Sequence, residues 1–108
     1  MKFKYKGHSF DSDEPILIGR DLKIMRVMAG VNTTVAAEYL GVKSRKTIEN
    51  WESSKSQPGI NNFVMMCRRY GFNPALVIQA AIERTLDPTS EKHEVSLNFE
   101  ACRTHSGK

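Results

Sequence analysis

The residues with the clearest chemical meaning are three cations within four positions, Lys43, Arg45 and Lys46. Over the whole chain, 16 lysines and arginines stand against 12 acidic residues, which gives a net charge of +4 and a pI near 9.2. An excess of this size is by itself more often a feature that favours solubility. Its concentration in one short stretch indicates a polyanionic partner.

Catalytic and metal-binding chemistry has no comparable signal. His8, His93 and His105 have no cysteine or carboxylate partner at ligand spacing. Two cysteines, Cys67 and Cys102, lack the spacing of a zinc site. No Ser–His–acid, paired-carboxylate or glycine-rich phosphate motif rises above chance. We therefore predict no enzyme activity, catalytic residue, metal or cofactor. Cys67 is expected to be an inert core thiol and Cys102 an exposed one.

The composition indicates one globular domain: 108 residues, 40% apolar and 26% charged. No apolar run is long enough for a bilayer and no secretory signal is visible, so a cytoplasmic location is expected. The length leaves no room for a separate ligand-binding domain, which argues against small-molecule control. We divide the chain into an N-terminal strand or hairpin extension (1–14), a helical domain (15–86) and a C-terminal strand and tail (87–108).

Apolar spacing and stop residues predict five helices in the central region. In the first helix, Leu22, Met25 and Ala29 repeat at helical spacing, with the charged Arg20, Asp21 and Lys23 expected off that face. Capping residues begin the later helices and glycines end them. The predicted bounds are Ile18–Ala29, Asn32 or Thr33 to Leu40, Ser44 or Arg45 to Ser53, Ile60 to Gly71, and Pro74–Leu86.

Alternation of apolar and polar residues predicts short β-strands at both ends of the chain. Lys2–Phe10 alternates and contains a glycine that can turn it into a hairpin. Near the other end, Val95, Leu97 and Phe99 alternate with polar residues over 94–99, and residues 100–108 are expected to fray.

The third helix has two contrasting faces. Ile48 and Trp51 are expected to point into the core, while the basic residues, Glu49 and Asn50 project away from them. Small residues in the second helix and Gly41 after it allow helices 2 and 3 to cross closely. This pattern predicts a helix-turn-helix.

A larger set of residues extends this pattern over 22–72. It consists of Leu22-Lys23, Arg26, Ala29-Gly30-Val31-Asn32-Thr33, Ala37-Glu38-Tyr39-Leu40-Gly41-Val42, Thr47-Ile48-Glu49-Asn50-Trp51-Glu52, Pro58 and Tyr70-Gly71-Phe72. In these residues the chain resembles the Cro/phage-repressor (XRE-type) helix-turn-helix family. Three departures stand out: Thr33 replaces the usual glutamine, Ser54 replaces the usual glycine, and the stretch 41–51 is one residue longer.

The resemblance implies a mostly α, five-helix Cro/repressor-like domain whose third helix enters the major groove of DNA. It implies a structural ion pair between Arg26 and Glu52. The residues expected to read bases are Arg45, Lys46, Glu49 and Asn50. Those expected to contact phosphates are Thr33, Thr34, Lys43, Ser44 and Lys55.

The resemblance also implies a homodimer on two half-sites about 34 Å apart. One candidate dimer surface is the second apolar face of helix 5, with Ile78 and Ile82. The other is the C-terminal strand, with Val95, Leu97 and Phe99, whose alternative is pairing with the N-terminal strand of the same chain.

These expectations describe a sequence-specific regulator of transcription, most simply a homodimeric repressor bound to a double-stranded DNA operator in the nucleoid. The alternative is an antitoxin or accessory protein that chiefly binds another protein and binds DNA for autoregulation. The residues outside the helix-turn-helix match, at both ends of the chain, are the basis of that alternative.

Overall fold

The structure, a computed structural model, describes residues 2–5, 8–11, 16–86 and 96–104. In these ranges the protein is mostly α-helical and has five α-helices, which confirms the predicted class. Each helix begins and ends within one residue of its expected bounds. The elements are β1 (Lys2–Tyr5), β2 (His8–Asp11), α1 (Gly19–Ala29), α2 (Thr33–Leu40), α3 (Arg45–Glu52), α4 (Ile60–Tyr70), α5 (Pro74–Leu86) and a 3₁₀ helix (Phe99–Cys102).

β1 and β2 form an antiparallel pair in which Lys2 lies opposite Asp11 and Tyr5 opposite His8. In the part of the chain that the structure describes, no helix is both long and apolar enough to cross a membrane.

The turn between α2 and α3 is fixed by local hydrogen bonds at each end. Asn32 caps α2, since its side-chain oxygen accepts the Val35 N–H at 2.8 Å. Gly41 ends α2 with φ of 64°, a left-handed conformation that a residue without Cβ adopts readily. Ser44 then caps α3 by accepting the Lys46 N–H at 3.2 Å. The order of helix, glycine turn and helix therefore follows from the sequence itself.

The core lies where α3 packs on α1 and α2, and where α4 packs on α1, α2 and α5. Ile48 and Trp51 contribute the inner face of α3, as expected, and Met25 and Met66 fill the space between helices. The 3₁₀ helix packs on α5 and adds Phe99 and Cys102 to the core. One apolar interior thus fixes the position of α3 relative to the other four helices.

Asp21 corrects the expected pattern of α1. Arg20 and Lys23 are exposed, but Asp21 is fully buried. Its carboxylate accepts hydrogen bonds from Arg84 on α5 at 3.0 and 2.9 Å, and one from the Ile18 N–H at 2.9 Å. Because a buried charge requires a partner, the ion pair explains why an acidic residue lies on the core side.

The predicted C-terminal strand is wrong over its described part. Residues 96–98 have no regular secondary structure, and Phe99 begins the 3₁₀ helix, which Asn98 caps. Leu97 and Phe99 are both buried. The Phe99 ring packs edge-on against the ring of Phe72, with 6.0 Å between the ring centroids. Val95 lies outside the described residues. The alternation therefore reflects side chains packed on helices, while β1 pairs with β2.

The segment after Phe99 is not frayed as far as the structure describes it. The Cys102 carbonyl accepts the Asn73 N–H at 2.7 Å, and the Gly71 carbonyl accepts the Thr104 N–H at 2.9 Å. Cys102, expected to be exposed, is only 3% exposed because this segment docks on the turn between α4 and α5. Cys67 is buried as expected, and burial raises the pKa of its thiol to about 12.

Candidate nucleic-acid interface

The outer face of α3 carries the basic residues and is open to solvent. Ile48 and Trp51 are buried against α1 and α2, which turns Arg45 and Lys46 outward. The Arg45 side chain is 67% exposed. A guanidinium and an ammonium that are free of the core can reach an external anion without disturbing the packing of the helix.

The start of α3 adds two further polar groups to this surface. Lys43 and Ser44 form the turn before the helix, and both are exposed. The Ser44 hydroxyl oxygen is occupied by the cap to Lys46, but a hydroxyl also has a hydrogen to donate. Ser44 can therefore hold the helix end and donate to a phosphate oxygen at the same time.

Glu49 and Asn50 lie one turn further along α3 and are half-buried. Glu49 faces Arg45 at 3.7 Å across one turn, a surface pair of small strength. The Asn50 carbonyl accepts the Lys55 N–H at 2.9 Å, so the loop after α3 folds back on the helix. This contact brings the exposed Lys55 to the C-terminal end of α3.

The N-terminus of α2 belongs to the same helix-turn-helix unit, because α2 and α3 pack directly on each other. Thr33 is half-buried and Thr34 is exposed. Their backbone N–H groups precede those of Val35 and Ala36, which are bonded to Asn32. The first N–H groups of a helix point along its axis and favour anions.

The structure brings Arg26 and Glu52 together in a two-pronged ion pair. Arg26 Nε and Nη2 donate to the two Glu52 oxygens at 2.6 and 3.0 Å, and Nη1 donates to the Val31 carbonyl at 2.8 Å. Their side chains are only 11% and 9% exposed. The hydrogen bond to Glu52 raises the pKa of Arg26 against the opposing effect of burial. This pair fixes the end of α3 to α1.

A second tie between α1 and α3 was not predicted from the sequence. The Gly19 N–H donates to the Ser54 hydroxyl at 3.0 Å, and a Cβ on Gly19 would collide with the carbonyl of Glu52. Ser54 adopts φ of 65°, a left-handed backbone conformation that glycine also adopts readily. The two residues are 35 positions apart, and no local pattern connects them.

The predicted dimer residues fall into two groups. Ile78 and Ile82 line an open apolar groove between α4 and α5, which Ile60 also lines with 69% of its surface exposed. Leu97 and Phe99 are buried in the core of their own chain, so their assignment to a dimer surface is wrong. Residues 96–99 form no strand and therefore offer no strand edge to a second copy. Of the two candidate dimer surfaces, only the α4–α5 groove remains.

Among the described residues, no group of three or more His, Cys, Asp or Glu side chains could hold a metal ion. Compared with protein-family models, with curated proteins and with solved structures, the chain gives no match.

Proposed function

We propose that the protein is a sequence-specific double-stranded DNA-binding regulator of transcription. It reads the major groove with the outer face of α3, in the manner of the Cro/repressor-like helix-turn-helix that the sequence resembles. The observation that carries this proposal is the exposure of Arg45 and Lys46 on a helix whose other face is buried. Because α3 is rigidly held, base contacts would not have to fix its orientation on binding.

Each side chain of this surface has a chemical partner in DNA. The Arg45 guanidinium matches the O6 and N7 acceptors of guanine, and the Asn50 amide matches adenine. Lys46 binds a guanine edge or a phosphate, and Glu49 accepts from a cytosine amine. Phosphates are held by the exposed polar groups before α2, before α3 and after α3, namely Thr33, Thr34, Lys43, Ser44 and Lys55. These phosphate contacts supply affinity without sequence preference.

The regulator is a homodimer in the cytoplasm. It binds DNA of the nucleoid and represses transcription by occupying a promoter. One α3 helix spans only a few base pairs, and a dimer doubles the sequence that is read. The α4–α5 groove with Ile78 and Ile82 supplies the dimer surface.

Selection from a library of random duplexes tests the proposal, followed by affinity measurements on the enriched duplex. The double variant Arg45→Ala/Lys46→Ala is compared with Arg68→Ala/Arg69→Ala, which removes the same charge from exposed positions on α4. Two lost base contacts at about 1–3 kcal/mol each predict at least a 30-fold loss for the first variant. The second variant should lose little.

Circular dichroism confirms that both variants remain folded. Equal affinities of the two variants, or a selection that enriches no sequence, would contradict the proposed reading of DNA by α3.

The exposed apolar groove favours a second candidate, an antitoxin or accessory protein that chiefly binds another protein. Ile60, which is 69% exposed, lines this groove, and exposed apolar patches mark sites of contact with other proteins. Sedimentation distinguishes the two candidates: a self-associating chain supports the regulator, and a monomer that enriches no duplex supports the partner-binding role.

A further inference from the structure

A cavity of about 310 Å³ opens between the segment that leads into α1 and the loop that follows α3. Its walls include Leu22, Trp51 and Phe63, and its rim includes Ser54, Ser56 and Gln57. None of the described residues that line the cavity is charged. The cavity is thus apolar inside, with uncharged hydrogen-bonding groups on one side, as expected of a small-molecule site.

We propose that this cavity binds a small, neutral, amphipathic molecule that regulates the DNA contact of α3, contrary to the expectation from chain length, since the cavity needs no separate ligand-binding domain. A cavity of about 150 Å³ holds benzene, so this volume suits a molecule of about ten non-hydrogen atoms. A charged ligand is disfavoured, because its charge would enter an apolar space without a partner. An apolar body would lie against Trp51, with a hydroxyl or amide directed toward the serine and glutamine side chains of the rim.

The regulatory part of this inference rests on the proposed function and on how the rim is attached to α3. The N–H groups of Lys55 and Ser56 both donate to the Asn50 carbonyl, at 2.9 and 3.3 Å. Ser54 also accepts the N–H of Gly19 at the start of α1. An occupant in contact with this exposed loop would reinforce these contacts and hold Lys55 in place for phosphate binding. A loop ordered in advance binds its target more tightly.

Trp51 is the only tryptophan of the chain, so its fluorescence reports directly on the cavity. The probe is 8-bromooctan-1-ol, a neutral alcohol of the required size whose bromine quenches tryptophan. Because Trp51 is only 6% exposed, quenching from bulk solution should be weak. We expect saturable quenching that octan-1-ol reverses. Quenching that rises linearly, without saturation or competition, would overturn the site.

A matched pair of variants locates the probe. Ser56→Cys, labelled with N-ethylmaleimide, places a blocking group at the rim, whereas Ser53→Cys puts the same group in the same loop outside the cavity. Cys67 and Cys102 are buried with raised thiol pKa values and should not be labelled. Probe affinity should fall at least ten-fold only in the Ser56 adduct. Equal affinities in the two adducts would overturn the location.

Two further measurements separate this inference from the proposed function. Octan-1-ol should shift the backbone amide NMR signals of Lys55 and Ser56, whether or not DNA binds. It should also tighten binding of the selected duplex about five-fold. Absence of any selected duplex together with saturable quenching contradicts the DNA-binding proposal and leaves the ligand site standing.

One result would overturn the regulatory role, and another would overturn the ligand site. Unchanged duplex affinity at saturating octan-1-ol overturns the regulatory role. Ile60, Phe63 and Ile78 line both the cavity and the α4–α5 groove. Probe affinity that weakens as protein concentration rises therefore assigns the cavity to a second copy of the chain and overturns the ligand site.

Discussion

Two arginine–carboxylate pairs join residues that are far apart in the sequence, and each has a separate task. Arg84 pairs with Asp21 and ties the last turn of α5 to α1. Arg26 pairs with Glu52 and fixes the end of α3. Both pairs have well-aligned hydrogen bonds to two carboxylate oxygens, so removing one partner leaves a poorly solvated charge behind.

Glu52→Gln should lower the free energy of unfolding by about 3 kcal/mol, because Arg26 then faces a neutral amide in a largely buried site. Urea denaturation measures this change. The matched control is Glu49→Gln, which removes the exposed pair with Arg45 and should change stability by less than about 0.5 kcal/mol. Similar values for the two variants would show that the Arg26 pair is no more than a surface contact.

Because the Cys67 thiol is buried, we expect the protein to lose stability at alkaline pH. Burial raises the pKa of this thiol from its ordinary value of 9.0, which applies to the unfolded chain, to about 12 in the folded chain. Between these values the unfolded chain releases a proton that the folded chain keeps, so stability falls as pH rises. From pH 8 to pH 10 the free energy of unfolding should fall by about 1.4 kcal/mol from this residue.

Urea titrations at the two pH values measure the alkaline loss. Cys67→Ala is the control: its overall stability is lower, but its loss between pH 8 and pH 10 should be smaller by that same amount. An identical loss in both proteins would exclude Cys67 as its source.

At the scale of elements, the helices could be predicted because their ends are encoded locally. Asn32, Gly41 and Ser44 each act within a few residues, and the apolar face of α3 follows from Ile48 and Trp51. The C-terminal segment could not be assigned in this way. The alternation of Leu97 and Phe99 indicates that one side of the segment is buried. A strand and an extended segment packed on helices both have this pattern, so it cannot distinguish them.

The same limit applies to the candidate site. The basic face of α3 is a local pattern, and its exposure could be anticipated. The local pattern predicts an exposed Asp21, because its partner Arg84 is 63 residues away. The Gly19–Ser54 contact also joins residues that are far apart in the sequence. The cavity beside Trp51 arises only when three separate segments are packed together.

Gly19→Ala tests how closely α1 approaches α3. The new methyl group would overlap the Glu52 backbone carbonyl, which is not free to move because Glu52 also holds Arg26. We expect destabilisation of about 2–4 kcal/mol, measured by urea denaturation. Gly59→Ser is the control, since a Cβ there has open space and serine is a good N-cap for α4. A Gly19→Ala protein of native stability would contradict the close approach.

At the scale of the whole molecule, docking of the C-terminal segment changes where a second copy can bind. Leu97 and Phe99 complete the core of their own chain and are unavailable to a partner. The α4–α5 groove, which contains Ile82, remains open. The groove and the outer face of α3 are formed by different helices, so self-association need not block the DNA-reading surface.

Ile82→Glu should therefore convert the proposed dimer into a monomer, because a carboxylate in the groove would be desolvated by a partner surface. Sedimentation velocity measures the oligomeric state. Loss of two-site binding should weaken affinity for the selected duplex about 100-fold. The matched control is Leu76→Glu, an exposed apolar position on the same helix outside the groove, which should remain dimeric and bind normally. If the Ile82→Glu protein still sediments as a dimer, self-association uses another surface. If it is monomeric yet binds the duplex with full affinity, one α3 helix suffices and the two-half-site arrangement is wrong.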